Sequence, residues 1–218
     1  MKKIVKIKSA IFLVIVTSFS FSQQENSLVT NMLLKKGILP ATLITTGLIL
    51  NNSDFEKNLA IRLRNRVGNS FEFRIDDYTQ YAPIVEMYIA NVLGVKSKHN
   101  QFNQTKYLFI SNIITSSITH ALKRLTLKPR PNGSPYSFPS GHTTFAFTNA
   151  TVLYNEFNQT SPQVGYSGYV FAVTTGTFRM LNNKHWLSDV LVGAGIGIIV
   201  TNLVYHFEPL KSFNPFKD

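Results

Sequence analysis

The chain has 218 residues, enough for one domain with a sizeable core. It carries 22 Lys and Arg against 11 Asp and Glu, a formal charge of +11, which points to an anionic partner: a phosphate ester, a membrane surface or nucleic acid. It has no cysteine, which excludes disulfides, thiolate metal sites and cysteine nucleophiles.

In chain order, Met1 to Lys8 holds four lysines and no acid, and Ser9 to Phe21 is mostly apolar. Ser20 and Ser22 then offer small residues for a cleavage site, so residues 1–22 read as a signal peptide and 23–218 as the domain. An uncleaved anchor is the alternative, and either reading exports the remainder. Leu39 to Leu50 is an apolar run entered at Pro40, which suits a first helical turn. Asn52-Ser53-Asp54 offers a cap for a basic amphipathic helix from Phe55 to Arg66. Phe71 to Tyr81 reads as aromatic and irregular, and Pro83 opens a helix to Leu93. A polar loop from Lys96 to Gln104 precedes a long helix from about Lys106 to Leu127. The prolines in Lys128 to Pro135 require a loop. Further helices are expected from Ser140 or Gly141 to Phe157, from Gln163 to Met180 and from about His185 to Phe207. The fold class is therefore all-α, a bundle of roughly six or more helices.

A membrane span needs about 20 apolar residues, and Val190 to Tyr205 gives only 16, with Thr201 and Asn202 inside it. The mean hydropathy of +0.03 is low for a polytopic membrane protein. The expectation is an exported bundle, soluble or seated on a membrane surface, with true spanning as the alternative, given how apolar the final helix is.

Three clusters carry chemistry: Lys123 with Arg130-Pro131, then Pro139-Ser140-Gly141-His142, then Arg179 with His185 and Asp189. Singly, each is unremarkable: a solvated cation, a helix cap, a helical i, i+4 pair. Together they make an anion site. Lys123, Arg130 and Arg179 can neutralise a phosphoryl group. Ser140 and Gly141 stand where a loop enters a helix, whose free N–H groups and dipole favour an anion. His142 in that first turn is placed to donate a proton. Asp189 can hold one ring nitrogen of His185 and leave the other free to attack.

The pattern K-x6-RP, PSGH, R-x5-H-x3-D resembles the type 2 phosphatidic acid phosphatase (PAP2) superfamily, which includes class A acid phosphatases and vanadium haloperoxidases. The match runs from Lys123 to Asp189, and departs from the family where Phe178 stands in place of a serine. The resemblance implies a phosphatase of PAP2/haloperoxidase-like fold that needs no metal and no cofactor. In it, His185 attacks phosphorus to give a phosphohistidine and Asp189 orients it. Lys123, Arg130, Arg179, Ser140 and Gly141 bind the phosphoryl oxygens, while His142 protonates the leaving group and later activates water. The expected substrate is a phosphate ester, most readily a lipid phosphate or diphosphate at the outer face of an inner membrane, and no nucleic-acid partner is expected. A soluble periplasmic acid phosphatase is the alternative. A haloperoxidase, generally a much longer chain, and a non-enzymatic phosphate-binding module rank lower.

Other residues read more plainly. Asp76-Asp77 is expected to be structural or to form the rim of the site, and His120 lies one turn before Lys123. Tyr78, Tyr81 and Tyr136 suit packing or a substrate entrance, and Arg62, Arg64 and Arg66 a solvated face.

Overall fold

The computed structural model describes residues 27–207, with side chains from residue 36 onward. The expected signal peptide lies outside the described residues. Within them the chain is all-helical: α1 Ser27–Leu50, α2 Asp54–Val67, α3 Asp76–Thr79, α4 Ala82–Val92, α5 Gln101–Thr126, α6 Gly141–Phe157, α7 Pro162–Leu181 and α8 Leu187–His206.

Local chemistry accounts for most of the boundaries. Ser53 caps α2 by accepting from the Glu56 amide at 3.2 Å, and Asn100 caps α5 by accepting from Asn103 at 3.0 Å. α5 stops where Leu127 turns left-handed (φ 50°), just ahead of the prolines. α1 begins well before Pro40, which lies inside it rather than in its first turn. One proline removes a single N–H, and packing against α8 offsets that loss. The segment expected to be irregular contains the single turn α3, with Asp76 and Asp77 at its start.

α6 forms the centre, packed against α5, α7 and α8, while α1 covers α8 from the other side. Glycines on α8 permit the close approaches. A Cβ on Gly197 would stand 2.8 Å from the Thr144 carbonyl of α6, and one on Gly195 would stand 2.8 Å from the Pro40 carbonyl of α1. This spacing brings the start of α6 against the start of α8, where the Ser140 amide donates to the Asp189 carbonyl at 3.0 Å. At the far end, Tyr107 and Tyr205 stack at 4.2 Å, and Glu156 takes a 2.6 Å bond from the Tyr205 hydroxyl and lies 2.9 Å from His99 Nδ1.

α8 is 20 residues long and is, among the described residues, the one helix long and apolar enough to cross a membrane. The 16-residue estimate fell short because Leu187-Ser188-Asp189 forms its first turn and His206 its last. Much of α8 is also buried within the bundle. The outer helices expose apolar stripes at helical spacing: Val85, Ile89 and Val92 on α4, and Tyr166, Val170 and Val173 on α7.

Candidate active site

Three helices and three connecting segments converge on a cavity of about 390 Å³. Lys123 reaches it from the last turn of α5, Arg130 from the proline loop, and Gly141 and His142 from the first turn of α6. Arg179 comes from the end of α7 and His185 from the α7–α8 loop, with Gln80, Tyr81, Thr119 and His120 completing much of the wall. A larger apolar groove of about 580 Å³ lies between α1 and α7 and contains none of these groups.

His185 does not lie on α8: that helix begins at Leu187, and Trp186 is its N-cap. The His185–Asp189 pair is therefore not made across one helical face. Asp189 sits at the third position of α8 and reaches back, accepting from the Trp186 amide at 2.9 Å while Oδ2 lies 3.3 Å from His185 Nδ1. Ser137 Oγ donates to the same carboxylate oxygen, and Lys128 Nζ lies 3.1 Å from the other. His185 is almost wholly buried, and burial pushes its pKa down to about 3, against the pull of Asp189. It is thus neutral at ordinary pH. With Nδ1 turned to the carboxylate, Nε2 is the ring nitrogen left for the cavity it lines.

The second histidine pair is more open. His142 Nε2 lies 3.1 Å from Asp77 Oδ1, and the two side chains are 34% and 45% exposed. Burial and the nearby Arg179 lower the His142 pKa, opposed by Asp77 and Asp76. Asp76 is buried and binds Arg179 Nη1 at 2.7 Å and Asn182 Nδ2 at 2.8 Å. The acidic pair thus holds the site's own cation and histidine. Asp76, Asp77 and His142 lie near enough to share a metal ion, but both Asp76 oxygens are already engaged.

The cations differ in their anchoring. Lys123 donates to the carbonyls of Tyr136 and Ser137 at 2.7 and 3.2 Å. Partial burial and repulsion from Arg130 lower its pKa to about 8. Arg130 Nε donates to the Pro135 carbonyl at 3.2 Å, and Arg179 Nε is buried without a partner. Thr119 Oγ1, also on the cavity wall, is a second buried polar atom without one. Buried orphan donors around a cationic cavity are what an anion would satisfy.

Ser140 departs from expectation. It is fully buried, its hydroxyl lies 2.8 Å from Thr143 Oγ1 and caps the Thr143 amide, and Gly141 is the residue that meets the cavity. A methyl on Gly141 would stand 3.9 Å from Lys123 Cε, so the glycine leaves room beside that cation. Phe178, in place of the family's serine, packs against Phe73 at 5.6 Å. The residues not singled out from sequence are Lys128, Glu56 and Ser137, which lie behind Asp189.

The family model of the PAP2 superfamily matches residues 132–212, the stretch holding His142, Arg179, His185 and Asp189. The chain belongs to the PAP2 superfamily. A lipid A 1-phosphatase of Porphyromonas gingivalis is 33% identical over 158 residues, which cover 70% of this chain and 35% of that protein. The chain thus spans about a third of the length of that curated relative. Two crystal structures share the fold. LpxE of Aquifex aeolicus has a TM-score of 0.51 and 22% identity, covering 67% of this chain and 94% of that one. A transmembrane PAP2-type phosphatidylglycerolphosphate phosphatase from Bacillus subtilis has a TM-score of 0.51 and 17% identity, covering 82% and 99%.

Proposed function

We propose that this PAP2 protein is a metal-independent phosphatase of lipid phosphates, working through a phosphohistidine on His185. The observation that carries the reading is the convergence of Lys123, Arg130 and Arg179 on one cavity that also holds two histidines, each backed by an aspartate.

The chemistry follows from the geometry. The Nε2 lone pair of His185 attacks phosphorus, and the P–O ester bond breaks. His142 in its protonated form gives its proton to the leaving oxygen. The three cations and the first turn of α6 stabilise the charge on the equatorial oxygens. Asp189 balances the positive charge that develops on the phosphorylated ring. Water then attacks the phosphohistidine, His142 takes its proton, the N–P bond breaks and inorganic phosphate leaves.

A lipid substrate is supported by the exposed apolar stripes on α4 and α7, by the length of α8 and by the lipid A 1-phosphatase relative. With an exported chain, the site belongs at the outer face of the membrane that holds it. The test is phosphate release from a lipid phosphate in mixed micelles, beside a water-soluble ester at equal concentration. The expected result is a higher kcat/KM for the lipid, inhibition by orthovanadate and indifference to EDTA. A preference for the soluble ester points to the acid-phosphatase alternative. A requirement for added divalent metal overturns the mechanism.

A further inference from the structure

The residues that hold Asp189 form a second layer of charge behind the site. Lys128 is a buried lysine, only 7% exposed, in the proline loop. Buried lysines are rare and costly unless fully partnered. Here the three N–H donors have three partners: Glu56 Oε1 at 2.9 Å, Ser188 Oγ at 2.8 Å and Asp189 Oδ1 at 3.1 Å. The Trp186 and Phe138 rings flank the ammonium at 5.5 and 5.9 Å. Glu56 comes from the first turn of α2, is 1% exposed, and also accepts from the Ser188 amide at 3.3 Å. A continuous line of charge therefore runs from α2 through the loop to α8 and ends at His185.

We propose that Lys128 and Glu56 are positioning residues for the transfer step: Glu56 holds the Lys128 ammonium, which fixes the Asp189 carboxylate that orients His185. The inference rests on His185 being the nucleophile. Asp189 must do two things. It must accept from His185 Nδ1, and it must not hold so much uncompensated charge that the ring keeps a second proton. Lys128 on Oδ1 does both, because it pins the carboxylate and offsets its charge while Oδ2 stays turned to the ring. Glu56 in turn limits how much positive charge Lys128 presents.

The two substitutions therefore have opposite electrostatic signs. Lys128→Met leaves Asp189 uncompensated and favours the imidazolium, so the acid limb of kcat/KM moves up by about one unit. Glu56→Gln leaves Lys128 less compensated and moves that limb down or not at all. The other charged groups around His185, unchanged in both variants, are Lys123 of α5, Arg179 of α7, His142 of α6 and Arg130 of the loop. The experiment is the pH profile of kcat/KM for the full-length enzyme and both variants, with His185→Ala as reference. The double variant E56Q/K128M, which removes both charges of the pair, is expected to keep the raised limb and stands in should K128M fail to fold. A merely structural role predicts equal losses at every pH with no displaced limb, and that result overturns the inference. So does a K128M enzyme with the wild-type profile. An active His185→Ala enzyme overturns the nucleophile and this inference together. An inactive one beside an unshifted K128M overturns this inference alone.

Discussion

The site contains two histidine–aspartate pairs of almost equal length, 3.3 Å for His185–Asp189 and 3.1 Å for His142–Asp77, in opposite surroundings. The first is sealed, its side chains 2% and 0% exposed, with the aspartate held by Ser137, Trp186 and Lys128. The second stands at the cavity mouth on the first turn of α6 and the short α3. Burial makes the first ring neutral and rigid, which suits a nucleophile. Partial exposure lets the second ring exchange protons with solvent, which suits an acid that later acts as a base. In the proposed mechanism the same pair of residue types takes two roles, set by environment.

The comparison breaks most sharply at His185. Replacing it with Ala is expected to lower phosphate release by about a thousand-fold or more, measured with circular dichroism showing unchanged helix content. His142→Ala should cost about a hundred-fold or more on an alkyl phosphate and much less on an aryl phosphate, whose leaving group needs no proton. Equal losses on both esters would assign His142 to binding rather than to proton transfer. Asp77→Asn should act in the same direction and less strongly. Without the carboxylate the imidazolium is less stable, so its pKa falls and the alkaline decline in kcat for an alkyl ester begins at lower pH.

Lys123 provides a finer test of the cationic wall. Its pKa of about 8 means that it discharges as pH rises through that value in the free enzyme. KM is expected to rise above about pH 8, and Lys123→Arg, charged throughout, should flatten that rise. The smallest effect on chemistry should come from Gly197→Ala. Its methyl would meet α6 backbone at 2.8 Å and force α6 and α8 apart. Stability is expected to fall by about 1–3 kcal/mol in thermal melts, with kcat little changed in the folded fraction.

Much of this architecture was legible in the residues. The helical periodicity, the proline loop and the capping residues Ser53 and Ser140 predicted helices where the structure has them, because each is a short-range effect. The motif spacing picked out Lys123, Arg130, Gly141, His142, Arg179 and His185, all of which line one cavity. The reading slipped where tertiary contacts override local signals. Pro40 looked like a helix start, but α1 passes through it against α8. Ser140 reads from its motif as a phosphate ligand, and the structure buries it with its hydroxyl capping the Thr143 amide while Gly141 lines the cavity. Lys128 reads from the sequence only as the start of the proline loop, because its partners Glu56 and Asp189 lie 72 and 61 residues away.

The helical class, the absence of thiol chemistry and the set of cations and histidines follow from the residues alone, since they depend on composition and short spacings. Packing of the helices sets which histidine is sealed and which is open. It also turns Asp76 and Asp77 into supports for Arg179 and His142, and joins α2 to the catalytic wall through Lys128. Burial and long-range pairing set those roles, and both are properties of the packed chain rather than of any segment in it.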